Sequence, residues 1–430
     1  MHYFSTNRIS PVASFREALL SGQPDDKGLY FPSEIPSLED GFLKSLATKS
    51  NADIAFDIMR PYVGDDIDDA SLGEICSETV DFPFPLVSLS GGISALELFH
   101  GPTLAFKDVG ARFMSRCLHY FSSGHREKTI VVVATSGDTG GAVAAGFHGV
   151  EGLEVVILYP EGRVSNIQEL QLTTLGGNVT TLELQGSFDD CQTLAKQALS
   201  DADLKNRARV TSANSISIAR WLPQQIYYFY AINELDGEQP VVSVPSGNFG
   251  NLAAGLIASA AGLPVRKFIA ACNANDVVPR YLDTGIYKTR DSVSTLSNAM
   301  DVGSPSNFVR VLELFHHNFS DLNSKLAAAA VTDAQTAATM RDVYEKQGYM
   351  LDPHGAVGYR ALADYMAQSG DVTGIFLETA HPVKFDSVGE ILGVDVKIPA
   401  ALERYLSRKK VSTKISNDYD DLKSILLSLL

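Results

Sequence analysis

A lysine, Lys107, stands at the head of a stretch in which Phe106, Val109, Phe113, Met114, Cys117, Leu118 and Phe121 recur at three- and four-residue spacing. That spacing predicts a helix with one apolar face. The N-terminal end of a helix carries partial positive charge and disfavours a protonated amine. An amine that is neutral, or tied up as a Schiff base, relieves the conflict and supplies nucleophilic chemistry. By helix position alone, a lysine bent out to solvent is the simpler explanation.

Four other segments carry groups suited to a ligand. Ser246-Gly247-Asn248-Phe249-Gly250-Asn251 follows an apolar run and precedes a helical pattern. Such a turn offers backbone N–H groups and a positive helix end to a phosphate. Its spacing matches neither a Walker A loop nor GxGxxG, and taken alone it reads more simply as a turn. Thr135-Ser136-Gly137-Asp138-Thr139-Gly140-Gly141 sits in the same kind of setting. Its hydroxyls and amides suit a carboxylate or phosphate, and Asp138 or Thr139 equally suits a helix cap. Ser212 to Arg220 (SANSISIAR) is read as small polar residues opening a helix that continues through Pro223. Arg220 near clustered hydroxyls fits a bidentate phosphate contact, or an exposed arginine on an amphipathic helix. Thr379, in Phe376 to Pro382 (FLETAHP), lies just beyond an apolar run. Its hydroxyl there could hydrogen-bond a ring nitrogen, whereas His381 reads as a structural turn residue.

These segments need a scaffold, and the chain supplies one. Strands are expected at Thr129–Ala134, Leu153–Tyr159, Val179–Leu184, Val241–Val244, Phe268–Ala271 and Gly374–Leu377, alternating with helical patterns. Ser165 is a candidate N-cap. This alternation implies an α/β fold of parallel sheets flanked by helices, with ligands beyond the carboxyl ends of the strands. Residues 1–92 are read as an N-terminal region, with GLYFP (28–32) as an apolar island, and residues 396–430 as a helical tail. Lys and Arg total 35 against 51 Asp and Glu, a net charge of −16. That balance argues against nucleic acid or an anionic membrane as the main partner. Four scattered cysteines fit neither a disulfide framework nor a zinc site. No secretory signal and no membrane-length apolar run is visible, so a cytoplasmic protein is expected.

Taken together and in this order, HGPTLAFKD (100–108) and the four segments resemble threonine synthase, in the long-N-terminus branch found in bacteria and fungi. The likeness runs from Leu96 to Phe385, with GLYFP and LSNAMDVGSPSNF (296–308) added. It implies a fold type II pyridoxal-phosphate enzyme, similar to the tryptophan synthase β chain, with two open, mainly parallel twisted sheets. The implied layout is a large cofactor-binding domain of 93–120 and 241–395 and a smaller inserted domain of 121–240. The implied reaction turns O-phospho-L-homoserine and water into L-threonine and phosphate.

By the same resemblance, Lys107 carries pyridoxal phosphate as a Schiff base and serves as the mobile proton carrier. Ser246 to Asn251 belong to the cofactor site, with Gly247, Asn248, Phe249, Gly250 and Asn251 around its phosphate, and Thr379 meets the pyridine nitrogen. Thr135, Ser136, Asp138 and Thr139 line the space for the amino-acid portion and the cofactor's phenolic oxygen. A carboxylate beside a phenolate is repelled unless one is protonated or a donor intervenes, which leaves the partner of Asp138 open. Asn214, Ser215 and Arg220 hold the substrate phosphate. Lys107 is expected to be the only lysine of the matched segments near the catalytic loops, and 296–308 has no assigned role. No metal is expected, and the protein is expected to be a monomer or weak homodimer. The rivals are a phospho-lyase giving 2-oxobutyrate, a hydroxy-amino-acid dehydratase, and a silent binding paralogue.

Overall fold

The computed structural model describes residues 1–123, 128–235, 237–370 and 372–430. The alternating pattern produces two sheets. One has six strands in the order Leu326–Ala330, Lys267–Cys272, Val241–Pro245, Gly374–Glu378, Ile93–Glu97 and Leu86–Ser88. All its neighbours pair in parallel except Leu86–Ser88 with Ile93–Glu97. The other is wholly parallel, in the order Thr413–Ile415, Val179–Leu184, Leu153–Pro160, Thr129–Ala134 and Arg209–Ser212. Every residue of Thr129–Ala134 is buried. Helices cover both faces, so the strand is continuously apolar instead of alternating. Each fully buried valine there contributes about 1.5–3 kcal/mol relative to exposure.

Strands Leu86–Ser88, Ile93–Glu97, Arg209–Ser212 and Leu326–Ala330 have no counterpart in the sequence reading, and three further elements differ from it. GLYFP contributes a strand, Tyr30–Pro32, paired antiparallel with Tyr3–Ser5. Its Phe31 ring stacks 5.8 Å from Trp221, and the Tyr30 carbonyl accepts from Arg310 Nε at 3.1 Å. The N-terminal region thus buttresses the segment that bears Arg220. Residues 212–217 do not open a helix. The helix starts at Ile218 and ends at Trp221, a 3₁₀ turn over Leu222–Gln225 holds Pro223, and Ile226–Asn233 resumes the α-helix. Proline near the start of a turn leaves no useful donor unmade, which is why the chain tightens there. The tail forms helices Ala400–Leu406 and Tyr419–Ser428, but between them Thr413–Ile415 adds a strand beside Val179–Leu184. An edge strand offers unpaired N–H and C=O groups to any extended neighbour, and composition does not reveal which segment takes them.

All four cysteines are free and buried. Among the described residues no helix is long and apolar enough to cross a membrane, and no cluster could hold a metal ion.

Candidate active site

The turns beyond the carboxyl ends of both sheets' strands line one cavity of about 330 Å³. Lys107, Thr135, Ser136, Asp138, Thr139, Asn214, Ser215, Arg220, Gly247 through Asn251, and Thr379 all face it. Ser246 does not. Its hydroxyl donates to the Val244 carbonyl at 2.8 Å and its amide to Ala271 at 2.9 Å, so it holds the turn from behind.

Helix Lys107–Ser122 begins at Lys107 and buries the predicted face, Val109, Phe113, Met114, Cys117, Leu118 and Phe121. A short antiparallel contact sets the lysine beside Thr379. Phe106 N–H donates to the Thr379 carbonyl at 2.9 Å, and His381 N–H to Leu104 at 3.1 Å. Thr379 is buried just past strand Gly374–Glu378, and its hydroxyl makes no hydrogen bond to any described residue. His381 caps the turn that follows it. Its Nδ1 accepts from Val383 N–H at 3.1 Å, and burial pulls the imidazole down to about 4.

Lys107 Nζ lies 4.6 Å from the Phe106 ring centroid and 3.9 Å from Asp138 Oδ2. Burial lowers the basicity of its amine, and the Asp138 carboxylate opposes that only in part. Asp138 is the first residue of helix Asp138–Phe147, but Gly137 is the cap. Its carboxylate instead accepts from Lys384 Nζ at 2.7 Å and Gln168 Nε2 at 2.8 Å, both at Oδ1. Burial alone would raise the Asp138 carboxyl; the Lys384 charge above all, joined by Lys107 when that amine is protonated, overcomes it and holds the group well below the usual carboxylate range. The expectation of a single lysine is therefore corrected: Lys384 stands at the same carboxylate. Nothing in the spacing of HPVKF (381–385) marks it, because only folding brings it to Asp138. The predicted cap Ser165 also takes part, since its hydroxyl donates to the Lys384 carbonyl at 2.9 Å.

The Gly247–Asn251 loop meets the requirements of a phosphate. It enters helix Gly250–Ala261 through Phe249, whose φ is +63°. The left-handed backbone there costs a non-glycine residue about 1–2 kcal/mol. No side chain caps this helix, and no described residue accepts from the N–H groups of Gly247 to Asn251. Free amides at a helix N-terminus fit a dianion. With an amine of lowered basicity and a free strand-end hydroxyl in the same cavity, the residues fit pyridoxal phosphate.

Arg220 is 3% exposed, and among the described residues it has no ion-pair partner. Its NH1 donates to Ala213 at 2.6 Å, while Nε has no partner. Burial pulls the guanidinium down to about 10, so it keeps its charge at neutral pH. A buried, unpaired cation facing a cavity is a receptor for an anion. Ser215 lines the same cavity, its hydroxyl accepting from Asn307 Nδ2 at 3.0 Å. Asn214 is largely committed to holding strand Thr129–Ala134, through both the N–H and the carbonyl of Ala134 at 3.2 and 2.7 Å. Thr135 is likewise occupied, with its hydroxyl accepting from Gly137 and Gly140 N–H. Among the described residues the Ser136 and Thr139 hydroxyls have no hydrogen-bond partner, and both residues are half-buried in the cavity.

Gly110 brings the Lys107 helix against Arg220. A Cβ at this position would lie 2.4 Å from the Arg220 carbonyl oxygen. Gly110→Ala is therefore expected to separate the two groups, lowering stability by about 1–3 kcal/mol and kcat/KM with it. Thermal melting and steady-state kinetics on one preparation check both.

Segment 296–308, without a role in the sequence, links the two binding loops. Ser306 Oγ donates to Asn248 Oδ1 at 3.1 Å and Asn307 N–H to the Asn248 carbonyl at 3.1 Å. Arg310 donates to the Ser215 and Ile216 carbonyls at 3.1 and 2.7 Å. At the other end, Ala299 N–H donates to His354 Nε2 at 3.2 Å, so His354 Nδ1 carries its proton toward Asp352 at 2.6 Å. Glu378 completes the chain by accepting from Asp352 N–H at 2.7 Å. Burial, then the nearby Asp352 charge, push the Glu378 carboxyl well up. The folded state thus binds a proton that the unfolded chain releases, and stability falls as pH rises above the ordinary glutamate range. Glu378→Gln keeps the shape and donor of the protonated acid and removes that slope. Its melting temperature is expected to exceed the parent's at about pH 8 and to match it at about pH 4.

Fold and cavity together define a pyridoxal-phosphate-dependent enzyme of fold type II. A family model described as pyridoxal-phosphate dependent enzyme matches residues 85–375, and models described as the threonine synthase N terminus and the threonine synthase C-terminal region match 2–80 and 355–426. The chain is 43% identical to threonine synthase of Haemophilus influenzae over 431 residues, covering 99% of this chain and 100% of that one. It matches the crystal structure of Escherichia coli threonine synthase with a TM-score of 0.93 and 41% identity, covering 100% of both chains. It matches pyridoxal-phosphate-bound threonine synthase from Brucella melitensis with a TM-score of 0.93 and 35% identity, covering 99% and 98%. The chain belongs to the threonine synthase family.

Proposed function

We propose that the protein converts O-phospho-L-homoserine and water into L-threonine and phosphate. The observation that carries this reading is the buried, unpaired Arg220 in one cavity with Lys107 and the free-amide loop. A dehydratase acting on an uncharged hydroxyl has no need of such a cation.

Bound pyridoxal phosphate supplies an electron sink that acidifies the α and β hydrogens of an attached amino acid. The chain's own residues do the rest. The amides of Gly247 to Asn251 would hold the cofactor phosphate, and the Thr379 hydroxyl would offer the ring a neutral hydrogen-bond partner. Lys107 would serve as the site of attachment and then as the base that takes one proton at a time from Cα and Cβ and returns them to Cγ and Cα, a role its desolvated amine suits. Arg220, with Ser215 and Asn214, binds the phosphate of the substrate and stabilises the charge that grows as it departs. Held there, phosphate, with a second pKa of about 6, can accept the proton of the water that adds at Cβ. Ser136 and Thr139 face the amino-acid portion with free donors.

We further place the protein in the cytoplasm as a monomer or weak homodimer; the net charge of −16 supports the absence of a nucleic acid or anionic membrane partner. Incubation with O-phosphohomoserine, following phosphate and threonine together, tests the function. Equal release of the two is expected. Phosphate accompanied by 2-oxobutyrate would mark a phospho-lyase, and no phosphate at all a silent paralogue.

A further inference from the structure

Two lysines share one buried carboxylate at the site. Lys384 is wholly inaccessible to solvent, and its Nζ has two acceptors, Asp138 Oδ1 at 2.7 Å and the Thr103 carbonyl at 2.8 Å. Gln168 Nε2 fills the same Oδ1 at 2.8 Å. That leaves Asp138 Oδ2 toward Lys107 Nζ, at 3.9 Å, outside hydrogen-bond range. Lys107 has no other hydrogen-bond acceptor among the described residues.

We propose that Lys384, not Lys107, is the counter-ion of Asp138, and that its fixed charge keeps the freed Lys107 amine unprotonated and ready to accept a substrate proton. The inference rests on the reading of Lys107 as the base. Lys384 is then a positioning residue, acting on the reaction through the charge balance at Asp138. One carboxylate balances one ammonium. With Lys384 paired at hydrogen-bonding distance, a second ammonium at Lys107 would be a buried cation in excess. Lys107 is the amine that yields, since it opens on the cavity and lacks the close acceptors that Lys384 has.

The charges facing Lys107 come from four elements. Asp138 stands at the start of its helix, Lys384 in the turn after strand Gly374–Glu378, Arg220 in Ile218–Trp221, and Asp352 before helix Pro353–Ser369. Burial lowers the amine; Asp138 and Asp352 raise it; Lys384 and Arg220 lower it again. Removing the Lys384 charge leaves Asp138 to pair with Lys107 and makes that amine more basic.

The test is the pH dependence of Lys107 acylation by trace acetic anhydride, on the full chain freed of cofactor, read by mass spectrometry of the Lys107 peptide. In Lys384→Met, labelling at a pH below the wild-type midpoint is expected to fall about tenfold, equivalent to one pH unit. The acid limb of kcat should move to higher pH in parallel. An unchanged labelling profile in Lys384→Met overturns the proposal. Loss of the Asp138 partner can also prevent folding, so the double variant K384M/D138N, which removes both charges, decides independently. The proposal expects its labelling profile near that of the wild type, because the pair it deletes is neutral. A large shift to lower pH would mean that Lys107 felt Asp138 alone, and would equally overturn it. These readouts concern only the amine's protonation. Turnover that survives Lys107→Ala would instead defeat the reading of Lys107 as the base.

Discussion

Lys107→Ala is expected to abolish turnover, with a loss beyond the ~10²–10⁴ attributable to a positioned acid–base group, because the attachment point of the cofactor disappears as well. The visible absorbance of a lysine-linked cofactor should vanish, and borohydride should no longer fix the cofactor to the chain. Stability should change little. The amine makes no hydrogen bond to a described residue, and its nearest carboxylate oxygen, at 3.9 Å, belongs to a group already paired with Lys384. Loss of function without loss of fold separates a chemical role from a structural one. An unaltered absorbance band in the variant would move the attachment to another amine, and Lys384 would be the first to examine.

Arg220→Met should lower kcat by about 10²–10³, the range seen when a group that stabilises developing negative charge is removed. Methionine keeps most of the buried volume, so packing is a minor part of the change. A rise in KM with kcat intact would mean that Arg220 only binds the substrate and does nothing for phosphate departure. The stability effect should run the other way. Arg220 is a buried cation with an unpartnered Nε, and the fold carries its desolvation cost for the sake of a ligand. Its melting temperature in the absence of substrate and phosphate is expected to equal or exceed the parent's. Added inorganic phosphate should stabilise the parent and not the variant, by ligand linkage.

Much of the scaffold was legible in the chain. Thr129–Ala134 and Val179–Leu184 form as strands with the ends expected. A strand buried on both faces is an uninterrupted apolar run, and glycine or polar turns stop it sharply. The Ser165 cap is equally clear, because capping is local. The reading of Ser212 to Arg220 as the opening of a helix holds only from Ile218 onward. Small polar residues suit a helix start, but here Asn214 spans to Ala134 and Ser215 to Asn307, contacts that an early helix would forbid. Ser246 reads as a ligand residue because it adjoins the glycine-bearing turn, yet its side chain turns back to Val244.

The sequence by itself determined which groups are available: a lysine at a helix head, a glycine-bearing turn after a strand, an arginine after clustered hydroxyls, and a hydroxyl at a strand end. Strand and helix periodicity also determined that the turns at 135–141, 246–251 and 379 lie at the carboxyl ends of parallel strands, since backbone pattern and turn chemistry act over a few residues. Only the tertiary structure decided how charge is shared among them. Asp138, Lys384 and Gln168 meet from positions far apart in the chain, and 296–308 ties Asn248 to Ser215 across the cavity. Electrostatic interaction depends on distance and burial, and neither is defined until the chain has closed on itself.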